Sequence, residues 1–513
     1  MLTNGVRCEK LILVSHNRGG LMKARVSSGA LRGEVVDGVA VFRGIPFAAA
    51  PFGELRFRPP QPAPRWHGMR DATAHGPGCP QPVDPRDPMH RYFSPDTQGE
   101  DCLSLQVWTP DVGGSGLPVM VWIHGGGYLT GAGSALAHDG ATFARSGVVH
   151  VSVNYRLNVE GFLYLQGEPA NLGLLDQVAA LRWVQDNIAA FGGDPANVTV
   201  FGQSAGAVSV QTLLAMPAAS GLFRRAIAQS GCPMAAVAPA DALEVTRRLA
   251  AILGVPPTRD GFAGLSPAQT LPALTPLVLD FNNPVRWGAR SFMVSPFRPV
   301  IDGDTMPEAV LSSVAAGGSS EVDLLTGTNR DETADFLRAL GMLDRVDERW
   351  AAMAVTEFGV TYSALEVYRA TSRPGAGFGE LVQAAWTDWA FRISTLRLLE
   401  AHRGRRFCYQ FDWASPALPD GFGATHALEI PFVRDALDVF VAVAPEARRT
   451  LGEDPPRQLA TAMHRAWVSF ATHGNPGWPE YDTARRATMR FDTVSEPVDD
   501  LAGAERELWD GVR

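Results

Sequence analysis

Lysine is almost missing from this chain: Lys10 and Lys23 are the only two among 45 basic residues, so no GxxxxGK[ST] phosphate loop exists anywhere in it. CxxC, HExxH and an intact GxGxxG are missing too, which removes the main signatures of thioredoxin-like, zincin and dinucleotide-binding chemistry. Charged residues are scarce, at 19% against about 25% in ordinary globular chains, as suits a large body with much buried chain. No apolar run approaches the roughly 18 residues of a spanning helix. The acidic balance, a net charge of −9, argues against a nucleic-acid or anionic-membrane partner. Five cysteines (Cys8, Cys79, Cys102, Cys232 and Cys408) are too sparse and odd a set for a disulfide scaffold. These absences describe a soluble globular protein.

What is present alternates helix and strand patterns, the mark of an α/β fold with a mostly parallel sheet. The 513 residues contain no repeat, low-complexity tract or dividing linker, so residues 22–513 read as one large domain with loop insertions. Residues 1–21 look different. Leu11–Val14 is too short for a signal-peptide core, and no small-residue cleavage site follows it. The patterned sequence begins at Lys23, so Met22 is the expected natural start and residues 1–21 an upstream extension. With no export signal, the expected location is the cytoplasm.

The strand Val119–Ile123 runs into His124-Gly125-Gly126-Gly127-Tyr128. Three successive glycines leave backbone N–H groups unobstructed, and acyl transfer needs such donors where charge develops on a carbonyl oxygen. A second strand, Val198–Phe201, feeds Gly202-Gln203-Ser204-Ala205-Gly206, and a helix is expected over 205–216. GxSxG alone is a weak signal. Between a strand and a helix it has the layout of a nucleophile elbow, where glycines at both ends make the sharp turn sterically possible. HGGG upstream of GxSxG is far more specific than either motif alone.

If Ser204 is a nucleophile, a base and an orienting acid must follow it in the chain. Beyond residue 332 stand His402, His426, His464 and His473. His402 closes a helical run, and His464 and His473 belong to the helix read at 462–472 and stopped by Gly474. Only His426, after Gly421-Phe422-Gly423-Ala424-Thr425, stands in a loop. The acid should follow a strand read at Glu321–Leu325. Asp331 and Glu332, in the expected loop 326–332, are equal candidates on pattern alone.

The whole pattern resembles a type-B carboxylesterase of the cholinesterase-like α/β-hydrolase family, similar to the bacterial para-nitrobenzyl esterases. Besides HGGGY and GQSAG, the likeness rests on Phe42–Ala48, Glu100–Leu103, Asn154-Tyr155-Arg156, Leu174–Gln177 and Phe191–Pro195. It continues through Ala228–Gly231, Arg330-Asp331-Glu332, His426–Glu429 and Trp467–Phe470. The resemblance implies an α/β-hydrolase fold with insertions over the active site, and a triad of Ser204, Glu332 and His426. It implies an oxyanion hole of the Gly126, Gly127 and Ala205 N–H groups, and a Ser230 near the triad acid. It further implies ion pairs Arg43–Glu100 and Arg156–Asp176, and a loop closed by Cys79 and Cys102, which a reducing cytosol would keep as thiols.

The expected activity is hydrolysis of small, uncharged aryl or alkyl esters through an acyl-enzyme, without metal or organic cofactor, by a monomer or small homo-oligomer. Activity is expected to rise through a group near pKa 6–7, about where an ordinary histidine titrates. Gln203 stands where the family usually has glutamate, and the segment from Cys79 to Cys102 has no tryptophan. Both departures weaken a cationic-substrate reading. Thr333, where a glycine or serine is common, has no functional reading. An aryl carbamate or amide hydrolase on the same triad is the alternative, and a non-catalytic binding protein the remote one.

Overall fold

The computed structural model describes residues 18–83, 92–293, 295–419, 422–443 and 449–512. Its frame is a 13-stranded sheet. In chain order the strands are β1 (Arg18–Val26), β2 (Gly29–Val36), β3 (Val39–Pro46), β4 (Met69–Asp71), β5 (Ser104–Thr109), β6 (Leu117–Ile123) and β7 (Val149–Val153). Then come β8 (Gly193–Gln203), β9 (Arg225–Gln229), β10 (Asp323–Asn329), β11 (Arg406–Phe411), β12 (Thr488–Phe491) and β13 (Glu496–Val498). Across the sheet the order is β1-β2-β3-β5-β7-β6-β8-β9-β10-β11-β12-β13, with β4 on β2. Every pairing from β7–β6 to β11–β12 is parallel. The pairings β1–β2, β2–β3, β3–β5 and β5–β7 on one side, and β12–β13 on the other, are antiparallel, while β4 lies parallel to β2.

A parallel centre must be covered on both faces, and the side chains of β6 show how. Val119, Val121 and Ile123 join one hydrophobic core, while Met120 and Trp122 join another, as period-2 alternation sends neighbours to opposite faces. The helices that matter for the site are α1 (Leu172–Asn187), α2 (Ala205–Leu213), α3 (Ala334–Ala339), α4 (Phe378–Thr387), α5 (Ile393–Ala401) and α6 (Arg457–His473). A π-helical turn, Asp388–Arg392, joins α4 to α5. Its Asp388 is held by Arg392 at 2.6 Å and by the Tyr368 hydroxyl at 2.7 Å. Gly474 ends α6 in the left-handed conformation, φ 72°. Among the described residues, no helix is long and apolar enough to cross a membrane.

Register aligns the chemistry. Ile123 lies opposite Gly202, Gln203 opposite Gln229, and Gln229 opposite Gly327. The segments that follow β6, β8, β9 and β10 therefore leave the sheet side by side at its carboxyl edge, where open α/β sheets bind ligands.

Several expectations need correcting. The strand read at 321–325 is Asp323–Asn329, so residues 326–329 are strand rather than loop. Their polar groups are absorbed by the sheet: Thr326 donates its hydroxyl to the Ala228 carbonyl at 2.9 Å. The helix expected to reach Met216 stops at Leu213. Arg43 pairs with Glu34 at 2.5 Å, because β3 lies beside β2, and Glu100 is exposed instead. Arg156–Asp176 forms as expected, at 2.7 Å with both side chains fully buried. Of the 21-residue extension, residues 1–17 lie outside the described residues, while Arg18–Leu21 continue β1 against β2.

Candidate active site

Ser204 occupies the single-residue turn between β8 and α2, at φ 56° and ψ −125°. Such a turn needs flanking residues without side chains. A Cβ on Gly206 would sit 2.1 Å from the Ile123 carbonyl oxygen, and one on Gly202 2.6 Å from the Gly206 carbonyl carbon. The strained backbone is fixed by Ser204 N–H donating to Gln229 O at 2.9 Å. Serine is thereby held at the end of a rigid strand.

The glycine run packs directly against this turn. A Cβ on Gly125 would lie 2.7 Å from the Gln203 carbonyl oxygen and 3.1 Å from Ser204 Cβ. Gly126, Gly127 and Tyr128 all have positive φ, at 103°, 62° and 60°, so glycine is needed at the first two. Among the described residues, the N–H groups of Gly126, Gly127 and Ala205 donate no hydrogen bond. Gly127, Ser204 and Ala205 line one common cavity of about 70 Å³.

His426 sits in a turn beyond β11. Its Nδ1 is 2.5 Å from Glu332 Oε2, with the imidazole 10% exposed and the carboxylate fully buried. The other Glu332 oxygen accepts from Asn329 N–H at 2.7 Å. Bonding to a carboxylate places the ring proton on Nδ1, leaving Nε2 as an acceptor. That acceptor takes the Gln203 side-chain amide at 3.2 Å, so the residue before Ser204 touches the imidazole directly. Burial alone would push the His426 pKa down, but the Glu332 charge and hydrogen bond outweigh it, and the pKa is raised above 6.5.

The two acidic candidates have separate jobs. Asp331 does not reach the imidazole. Its carboxylate is held by Arg330 at 2.9 Å and Arg373 at 2.5 Å, and it accepts from Ala424 N–H at 2.9 Å. Gly423, at φ 56°, passes so close that a Cβ there would lie 2.0 Å from the Asp331 carboxylate. Asp331 thus clamps the segment that carries His426, and Glu332 meets the ring.

Other parts of the site carry no local signal in the sequence. Glu429, fully buried behind Glu332, accepts from Gln229 at 3.1 Å and Asn329 at 2.9 Å. Burial first, and then the Glu332 charge, raise its pKa. The Thr425 hydroxyl donates to Asp335, whose pKa burial also raises. The π turn brings Phe391 against the imidazole at 5.3 Å between ring centroids, opposite Phe336 at 5.4 Å. Such π turns cluster at functional sites, but residues 388–392 show no sequence pattern that announces one.

The remaining expected residues fall as follows. Ser230 has φ 56° and lines the Ser204 cavity, and its buried hydroxyl has no hydrogen-bond partner among the described residues. Its N–H donates to Gly327 O at 2.8 Å, and no bond to Glu332 is formed. Cys79 and Cys102 are buried free thiols. The Cys102 pKa is pushed up by its hydrogen bond with Cys79 and by burial. Thr333 gains a structural account: its hydroxyl donates to Gln383 O at 2.9 Å, fastening α3 to α4. Gly421 lies outside the described residues. Among those described, no cluster of His, Cys, Asp and Glu could hold a metal ion.

A serine on a strained turn, an imidazole oriented by a buried carboxylate and a bank of unused N–H donors are what acyl transfer requires. Comparison with known proteins agrees. Residues 22–506 match the model of the Carboxylesterase family. The chain belongs to the carboxylesterase family. Its fold is the α/β-hydrolase fold, and its activity is hydrolysis of carboxylic esters. Among carboxylesterase relatives, the Bacillus subtilis para-nitrobenzyl esterase is 37% identical over 93% of this chain and 96% of its own. The Pseudarthrobacter oxydans phenmedipham hydrolase is 35% identical over 93% of this chain and 97% of its own. The crystal structure of the Geobacillus stearothermophilus carboxylesterase superposes with a TM-score of 0.83 at 37% identity, covering 95% of this chain and 99% of that one.

Proposed function

We propose that Ser204 is the nucleophile, His426 the general base and acid, and Glu332 the residue that orients the imidazole. The observation that carries this reading is the contact chain Glu332–His426–Gln203, which ends beside Ser204. In the first step His426 Nε2 exchanges its bond with the Gln203 amide for the Ser204 proton as the oxygen attacks the ester carbonyl. The N–H groups of Gly126, Gly127 and Ala205 stabilise the oxyanion, each contributing roughly 2.7–4 kcal/mol if it behaves like other oxyanion-hole donors. The alcohol leaves with the proton from His426, and water repeats the sequence on the acyl-enzyme.

Small uncharged aryl and alkyl esters suit the site, because the cavity at Ser204 is lined chiefly by apolar residues such as Val208, Ala235 and Phe391. The catalytic body is residues 22–513, acting as a monomer or small homo-oligomer. A cytoplasmic setting fits the free thiols at Cys79 and Cys102.

The test is turnover of para-nitrophenyl acetate followed from pH 5 to 9. His426 acts as base only when neutral, so kcat/KM is expected to rise with pH. Because its pKa is raised, the limb is expected above the ordinary histidine value of 6.5. Gln203→Glu, which sets a carboxylate against Nε2, should move that limb further up. A flat profile from pH 5 to 8, or a limb unmoved by Gln203→Glu, contradicts the assignment. Matched phenyl esters and phenyl carbamates complete the test: turnover of the carbamate equal to or better than the ester overturns the esterase reading.

A further inference from the structure

The N–H groups of the glycine run can serve an oxyanion only if they face it, and glycine itself does not ensure that. With no side chain on either flank, the peptide between Gly125 and Gly126 is free to rotate to either orientation. In a planar trans peptide the carbonyl oxygen and the next N–H point in opposite directions. Whatever holds a carbonyl of the run therefore aims the N–H that follows it.

Three successive carbonyls are held in this way. His124 O accepts from the Tyr155 hydroxyl at 2.7 Å. Gly125 O lies 2.8 Å from His124 Nδ1, and because a carbonyl only accepts, Nδ1 carries the ring proton. Gly126 O accepts from the Leu129 and Thr130 N–H groups at 3.0 and 3.1 Å. The last is a backbone turn, whereas the hold on Gly125 O comes from one imidazole. That ring has no room to turn. It is buried and stacked on Tyr155 at 4.4 Å between centroids, with 19° between the planes. On its other side, a Cβ on Gly131 would lie 2.4 Å from Nδ1. Gly131 is pinned in turn by buried Gln81, which donates to its carbonyl at 2.9 Å and accepts from its N–H at 2.8 Å.

We propose that His124 is a positioning residue for the oxyanion hole: its Nδ1–H, bonded to Gly125 O, keeps the Gly126 N–H turned toward the carbonyl that Ser204 attacks. This rests on Ser204 being the nucleophile and Gly126 an oxyanion donor. Gln81 and Tyr155 keep the ring in place. Loss of the bond frees the peptide without touching the Glu332–His426 pair, so the effect falls on kcat and not on the base.

The experiment measures kcat and KM for para-nitrophenyl acetate, and inhibition by trifluoromethyl ethyl ketone, in the wild type, His124→Leu and His124→Asn. Ser204 Oγ adds to the ketone carbon, His426 takes the serine proton, and the carbonyl electron pair becomes an oxyanion seated in the hole. Leucine and asparagine have nearly the same shape, but only asparagine keeps a donor near the place of Nδ1. His124→Leu is expected to lower kcat about 10- to 100-fold, short of the roughly 10²–10³ lost when a donor is removed outright. Its KM should stay within about twofold, the signature of an interaction made only in the transition state. Ketone inhibition should weaken by the same factor as kcat/KM, and the pH limb should not move. His124→Asn should behave nearly as the wild type in every measurement.

A leucine variant with wild-type kcat, or one that loses kcat while the ketone binds as before, overturns the proposal and leaves the esterase reading standing. An asparagine variant as impaired as leucine does the same, because ring shape and not the bond would then matter. A wild type that neither turns over the ester nor binds the ketone would overturn the esterase reading, and this proposal with it. Should His124→Leu not fold, His124→Phe, which keeps the stack on Tyr155 but has no donor, takes its place in the same comparison.

Discussion

Ser204→Ala is expected to lower kcat for para-nitrophenyl butyrate by about 10⁶-fold, the loss seen when a nucleophilic serine is removed from a comparable triad. The substitution takes one oxygen from a turn whose shape depends on Gly202, Gly206 and the Ser204 N–H bond to Gln229. Alanine keeps all of these. Its melting temperature should stay close to that of the parent, and substrate should still bind, because the cavity walls do not change. A mutant that keeps its turnover would show that Ser204 is not the nucleophile. A mutant that unfolds would leave the loss of turnover uninterpretable, so melting and turnover are measured on the same preparation.

The second large effect separates two neighbouring carboxylates. Glu332→Gln is expected to cost about 10⁴-fold in kcat, as when a triad carboxylate becomes an amide and the imidazole takes the wrong tautomer. Asp331→Asn should change kcat far less and lower stability instead, by about 1–3 kcal/mol, because Arg330, Arg373 and the Ala424 N–H lose a charged acceptor. Kinetics and thermal melting of the two variants side by side decide it. The reverse pattern, with Asp331→Asn catalytically dead and Glu332→Gln merely unstable, would exchange the roles.

The readable parts of this site are those whose geometry is local. A one-residue turn demands glycines within two positions, and a row of free N–H groups demands a glycine run, so both motifs stand out in the chain. His426 is legible by elimination, since its rivals lie in or end helices. Contacts between distant segments are not legible. Nothing near Gln203 announces that its amide meets His426, 223 positions away. Nothing near Glu429 announces that it backs Glu332. Arg43 illustrates the same limit, because its partner was set by which strand lies beside β3.

The reading of β10 failed for a different reason. A strand inferred from its apolar run ends at Leu325, yet the sheet continues through Thr326-Gly327-Thr328-Asn329. Polar residues persist there because Thr326 and Asn329 spend their side chains on neighbouring carbonyls. Glycine persists because a Cβ on Gly327 would lie 2.2 Å from the Tyr409 carbonyl oxygen. Interior polarity of this kind marks the place where a sheet turns from support into chemistry.

The most direct test of the central claim is to trap the covalent intermediate. Enzyme turning over para-nitrophenyl butyrate is quenched in acid within the first turnovers, digested and mapped by mass spectrometry. The account predicts one butyryl group on the peptide containing Ser204, carried on that hydroxyl and absent from Ser204→Ala. An acyl group on another residue, or brisk turnover with no acylated peptide at any quench time, would contradict it.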